Sequence, residues 1–160
     1  MLRFCGWLQE LPWVMAIDNS EGGAVVVEII HYLSFFLLVG TIVFVDLRVL
    51  GVAGKKQSVA AVAEQFLPLT WTGLAFATLS GFILFAGNAT AFVRADVFQL
   101  KIVVIFVAII FGLLVQRQVT RATRSPGTSA GIKVLALVSL LLWIGAILAS
   151  LEVAALTGLG

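Results

Sequence analysis

Histidine, cysteine and methionine are scarce in this chain. Its 160 residues hold one histidine, His31, one cysteine, Cys5, and two methionines. A single cysteine excludes an intrachain disulfide, and Cys5 reads as a small apolar residue, buried or interfacial. A single histidine excludes a bis-histidine haem within one chain. It also excludes a di-iron centre, which needs two Glu-x-x-His pairs. A copper route would need more soft ligands than one cysteine and two methionines supply. Charge is scarce too, at 11% of residues, against about 25% in soluble domains. The charged residues form no basic tract and no basic–aromatic alternation, so nucleic acid is not an expected partner. No glycine-rich nucleotide loop, no serine–histidine–carboxylate set and no zinc-ligand spacing is present. Catalytic activity of the chain on its own is therefore not expected.

What fills the sequence is apolar, 61% of it. A soluble fold of this length could not cover so much apolar surface, so the remainder must face lipid. A helix needs roughly 20 apolar residues to cross about 30 Å of hydrocarbon. Four windows meet that length: residues 24–45, 66–87, 97–116 and 132–156. They are apolar all round, unlike the one-sided helices of soluble proteins, and lack the ten-residue alternation of membrane β-strands. The fold class expected is all-α: a polytopic membrane four-helix bundle.

Lysine and arginine placement sets the expected direction. Arg48, Lys55 and Lys56 follow the first window; Arg117, Arg121 and Arg124 follow the third, and Lys133 opens the fourth. The opposite side holds only Arg3, Arg94 and Lys101. The first group should be cytoplasmic, which puts both termini outside. Residues 1–20 are expected to form a separate amphipathic segment on the outer surface, with Phe4, Trp7, Leu8, Leu11 and Met15 on one face. Trp7 and Trp13 suit the membrane boundary. Pro12 should interrupt or restart this segment, and Asp18, Asn19 and Ser20 offer caps for the first span. Residues 21–160 then make the four-helix domain.

Membrane helices associate through small residues that let backbones approach. Gly73, Ala77 and Gly81 recur at four-residue spacing in the second span, with Ala108 and Gly112 in the third and Gly145 and Ala149 in the fourth. These stripes predict close contact, within the bundle or between subunits. Ionisable residues inside a span are rare and costly, which makes them site candidates. Four occur: Glu28, His31, Lys101 and Glu152. At 1.5 Å rise per residue, all four fall roughly 5–11 Å below the outer surface. Glu28 and His31 share one helix face. The cluster can be structural, with Glu28 and Lys101 neutralising each other, or it can hold a b-type haem or a quinone, His31 being the only histidine for iron. An ion pathway is the weakest reading, because the inner half of the spans shows no chain of polar groups. At the cytoplasmic end, Asp46 and Arg48 are two residues apart and must point to different partners, and Gly51 is placed to end the helix.

The segment EIIHYLSFFLLVGTIVFVDLRVLG resembles the first span of a family of small bacterial inner-membrane proteins of unknown function. That family has a histidine early in the helix and a DLR-x-LG ending. The resemblance continues through LTWTGLAFATLSGFILF and FQLKIVV. It implies four helices and a bacterial inner membrane, and it singles out His31, Asp46, Arg48, Gly51 and Lys101. A looser similarity runs to copper-resistance and cytochrome-b-like four-helix membrane proteins, which carry more histidines than this chain. The function expected is a non-catalytic membrane subunit or anchor, embedded in the lipid bilayer, that forms a homo-oligomer or contacts a partner subunit on the outer face. The alternative is a redox subunit holding haem or quinone near His31.

Overall fold

The computed structural model describes residues 2–54, 56–121 and 129–157, excluding the side chains of 121 and 151–157. Lys55, Arg124 and the side chains of Arg121 and Glu152 therefore lie outside the described residues. Seven helices and no strand occur among the described residues: α1 Leu2–Gln9, α2 Pro12–Asp18, α3 Gly23–Val49, α4 Val59–Gly87, α5 Ala89–Arg94, α6 Asp96–Arg121 and α7 Ala130–Thr157. Four of them, α3, α4, α6 and α7, are long and apolar enough to cross a membrane. Their exposed surface carries large apolar side chains, among them Leu33, Phe36, Leu79, Phe106 and Leu148. This is a multi-pass membrane protein.

Local chemistry sets the helix ends. Gly51, at φ +80°, follows α3. Val52 N–H then donates to Leu47 O at 2.9 Å, and Gly51 N–H to Arg48 O at 3.1 Å, the paired bonds that close a helix at a left-handed glycine. Ser58 caps α4 by accepting from Ala61 N at 3.1 Å. That cap starts α4 well before the apolar window at 66, because Glu64 and Gln65 are helix formers that dilute hydropathy without breaking the helix. The cap expected from Asp18, Asn19 or Ser20 is not made. Gly22, at φ +87°, occupies that position, and the Ser20 hydroxyl instead donates to Ile17 O at 2.7 Å, closing α2. Helix α5 is an addition to the elements expected; six residues after Asn88 are too short to give a periodic signal.

The spans pack antiparallel as two hairpins, α3 with α4 and α6 with α7. The α3–α7 seam joins them, and α4 meets α6 more lightly. One buried layer, holding Val45, Val49, Val62, Val115 and Ile132, lies towards the end with the basic loops. A central layer surrounds Leu38, Ile42, Ala108, Trp143 and Ala146. A third, of Cys5, Leu8, Val14, Ala86 and Ala89, seats α1 and α2 on α4 and α5 at the opposite, capped end. The inward face of α1 is thus Cys5 and Leu8. Phe4 and Trp7 point outward as a ring pair with centroids 5.6 Å apart, so the apolar face expected for residues 1–20 is divided between the bundle and its surroundings.

The small-residue stripe is the α3–α4 seam. A Cβ on Gly73 would stand 2.8 Å from Leu38 N and 3.1 Å from Ser34 O, and one on Gly81 would stand 2.9 Å from His31 Cε1. Ala77, between them, is buried. The close approach these residues permit is therefore used inside the chain. Gly112 does the same for α6, where a Cβ would lie 3.6 Å from Ile42 Cγ2 and 4.0 Å from Ser139 Oγ.

Candidate functional site

His31 lies in the first half of α3 and is half-buried against α4. Gly81 leaves the space that its ring occupies. The ring Nδ1 is 3.1 Å from Ala77 O and 3.1 Å from Ser80 Oγ. A carbonyl oxygen can only accept, so Nδ1 carries the hydrogen and donates. Ser80 Oγ gives its own hydrogen to Phe76 O at 2.5 Å, which leaves oxygen lone pairs facing the ring. In the neutral imidazole these contacts assign the tautomer, and the remaining nitrogen, Nε2, bears a lone pair.

The other ionisable residues of this layer approach His31 without bonding to it. Glu28, one turn earlier on α3, interacts with the Tyr32 hydroxyl. Lys101, half-buried on α6, and Glu28 both lie within electrostatic reach of the ring. The depth of these residues leads to the expectation that His31 faces the bundle interior and touches Glu28, Lys101 or Glu152, directly or through water; the hydrogen bonds its ring makes among the described residues go to uncharged groups of α4. The reason is steric. The gap above Gly81 and beside Ala77 draws the ring toward α4, away from Glu28 on its own helix. The expected neutralisation of Lys101 by Glu28 is likewise not made, since Glu28 turns along α3 to Tyr32. The Glu152 side chain lies outside the described residues.

Asp46 and Arg48 diverge, as their spacing requires. Arg48 reaches across the α3–α4 loop to Gln57 O, with Nε at 3.0 Å and Nη2 closer still. Asp46 turns inward and is 1% exposed. The bundle interior also holds buried polar groups that sequence reasoning missed, of which Ser139 lies beside Asp46. Ser139 and Trp143, one turn apart on α7, are both fully buried. Thr70 on α4 donates to Thr41 on α3 at 3.0 Å, and Gln116 on α6 is buried. The i, i+4 pairing of Ser139 with Trp143 was the one available signal, and it is faint in so apolar a helix.

The polar groups thus fall into two layers. One, around His31, offers a nitrogen lone pair. The other, around Asp46, offers a carboxyl between α3 and α7. Among the described residues no group of three or more His, Cys, Asp or Glu side chains converges as a metal site. No curated protein and no solved structure matches the chain. A family model does match, over residues 7–154, and on that coverage the chain belongs to the family of unknown function DUF6644.

Proposed function

We propose that the protein is a non-catalytic membrane subunit that anchors or organises a bacterial inner-membrane complex, with its capped end on the outer face. The observation that carries this reading is the folded cap. Helices α1 and α2 are held on α4 and α5 by their own small core, while Phe4, Trp7, Trp13 and Met15 remain exposed. A segment needed only to enter the membrane would have no use for that core. An ordered rim of exposed aromatics suits contact with a partner subunit or a second copy, since aromatic side chains are enriched at such contacts. Mild solubilisation of the full chain in its native lipid, followed by mass determination, tests this. A defined assembly is expected, and Phe4→Ala with Trp7→Ala should dissociate it without unfolding the bundle. A wild-type chain that runs alone, or an assembly indifferent to those two changes, refutes the reading.

A second reading is favoured by the His31 tautomer: a redox subunit with iron, as b-type haem, on His31 Nε2. Metal-ligating histidines characteristically donate their other ring N–H to a carbonyl or carboxylate, and His31 Nδ1 donates to Ala77 O. The same contact argues against a quinone. A quinone carbonyl needs an N–H donor, and the neutral ring has already committed its only one. With one histidine in the chain, the second axial ligand would come from another chain or from a residue other than histidine. An absorption spectrum of the purified protein decides, since a Soret band removed by His31→Ala is the expected signature.

A further inference from the structure

Four buried polar atoms have no hydrogen-bond partner among the described residues: Asp46 Oδ1 and Oδ2, Ser139 Oγ and Trp143 Nε1. Asp46 and Ser139 meet at the α3–α7 seam, while Trp143, one turn further along α7, packs in the central layer with Phe35. Buried polar groups in proteins are overwhelmingly satisfied, so three orphan oxygens at one seam call for an explanation. The charge is the more pressing part. An ionised carboxylate removed from water and left unpaired inside a membrane is very unfavourable, and such groups face a partner, a cavity or a transported species. Among the described residues no cation meets Asp46 from the helices packed around it. Arg48 on α3 is spent on Gln57 O. Glu64 on α4, Arg117 on α6 and Lys133 on α7 are exposed. The side chain beside the carboxyl is Ser139, whose hydroxyl stands outside hydrogen-bonding geometry.

We propose that Asp46 is an intramembrane proton-binding site, a neutral carboxylic acid lodged between α3 and α7 with Ser139 beside it. Two considerations favour a proton over a metal cation. The cluster offers three oxygens, two from Asp46 and one from Ser139, whereas a hard cation takes six or more. A proton also needs no coordination sphere, and the tight packing here by Val45, Val49 and Ala136 leaves little room for one. The position adds a consequence. The α3–α7 seam joins the two hairpins, so release of the proton leaves a lone charge on that seam and works to part them. Proton occupancy and the packing of the hairpins are therefore coupled.

Infrared spectroscopy of the full chain in lipid nanodiscs tests this. Aspartate labelled with 13C at its side-chain carboxyl is incorporated throughout. The chain has three aspartates, Asp18, Asp46 and Asp96. Asp18 and Asp96 are exposed, so the one aspartate carboxyl withheld from its surroundings is that of Asp46. At neutral pH the labelled protein should show an isotope-shifted carboxylic acid C=O band. Asp46→Asn should remove that band, and Ser139→Ala should change its frequency without removing it. A spectrum at neutral pH with no isotope-sensitive acid band, or one whose band survives Asp46→Asn, overturns the assignment. The labelled wild-type chain tests the protonation state by itself, so a variant that failed to fold would not leave the question open.

Discussion

A single methyl group placed on Gly73 tests the central seam. Its Cβ would stand 2.8 Å from Leu38 N and 3.1 Å from both Leu38 Cα and Ser34 O. All three are backbone atoms, so no side chain can rotate away and α3 must shift. An interior helical glycine replaced by alanine ordinarily gains about 0.5–1 kcal/mol, while overpacking costs about 1–3 kcal/mol. The net expectation for Gly73→Ala is a loss of about 1–2 kcal/mol. Gly81→Ala separates the two effects. There the obstacle is His31 Cε1, at 2.9 Å, and the ring can turn aside at the expense of its bonds to Ala77 O and Ser80 Oγ. Interhelical side-chain hydrogen bonds in membranes average about 0.6 kcal/mol and reach about 1.7. Gain and loss nearly cancel, and Gly81→Ala should lie within about 1 kcal/mol of the parent. Leu79→Ala supplies the baseline: Leu79 is 63% exposed, facing lipid as apolar as itself, and should change little. Equilibrium unfolding in mixed micelles gives all three values. If Gly73→Ala proves as mild as Leu79→Ala, the backbones of α3 and α4 do not meet at residue 73 and the packing argument fails.

Four further outcomes follow from the same structure. Gly81→Leu should destabilise the protein well beyond Leu79→Ala, because an isobutyl group cannot fit beside the His31 ring; equal thermal stability in detergent would contradict this. Thr70→Val removes the 3.0 Å bond to Thr41 and should lose about 0.6 kcal/mol, at most about 1.7, measured in the same unfolding assay. In a Cys5→Ser background, Ala53→Cys should react with an impermeant thiol reagent only from the cytoplasmic side and Asn19→Cys only from outside; the reverse pattern would invert the orientation read from the basic residues. His31→Ala should abolish any Soret band, whereas in a haem-free protein it should mainly lower stability by leaving the Ala77 carbonyl and Ser80 hydroxyl short of a donor.

The fold was legible because its dominant signal is global. Twenty or so apolar residues in a row leave the backbone no alternative to a helix once water is gone, and each of the four windows coincides with a helix. What blurred was local. The early start of α4 depends on one hydroxyl, Ser58, bonding one amide, and hydropathy is blind to it. The start of α3 depends on which residue takes a left-handed φ. Gly22 does so without strain, while Ser20 finds a nearer acceptor in Ile17 O. The α1–α2 cap was readable as amphipathic, but not which apolar residues would turn inward, because a short helix with apolar residues on more than one side has no unique buried face.

The candidate site was legible by depth and illegible by direction. Counting residues along antiparallel helices places Glu28, His31 and Lys101 in one layer, and the His31 ring lies within electrostatic reach of the other two. Rotation about each helix axis then decides who bonds to whom, and that is set by small residues rather than charged ones. Gly81 and Ala77 admit the His31 ring to the α4 backbone, so one stripe both joins two helices and orients the imidazole. Asp46 follows the same logic at the other end of α3. By count it sits near the end of its span, where a carboxylate could reach water. Its helix face turns it instead toward Ser139 on α7, while Arg48, two residues on, faces the loop. Two charges adjacent in sequence thus end in opposite environments. Exchanging them for the nearest neutral analogues should therefore have unlike effects. Arg48→Gln loosens a loop contact at the bundle end. Asp46→Asn replaces a buried acid at the seam between the hairpins, and any pH dependence of hairpin packing should vanish with it.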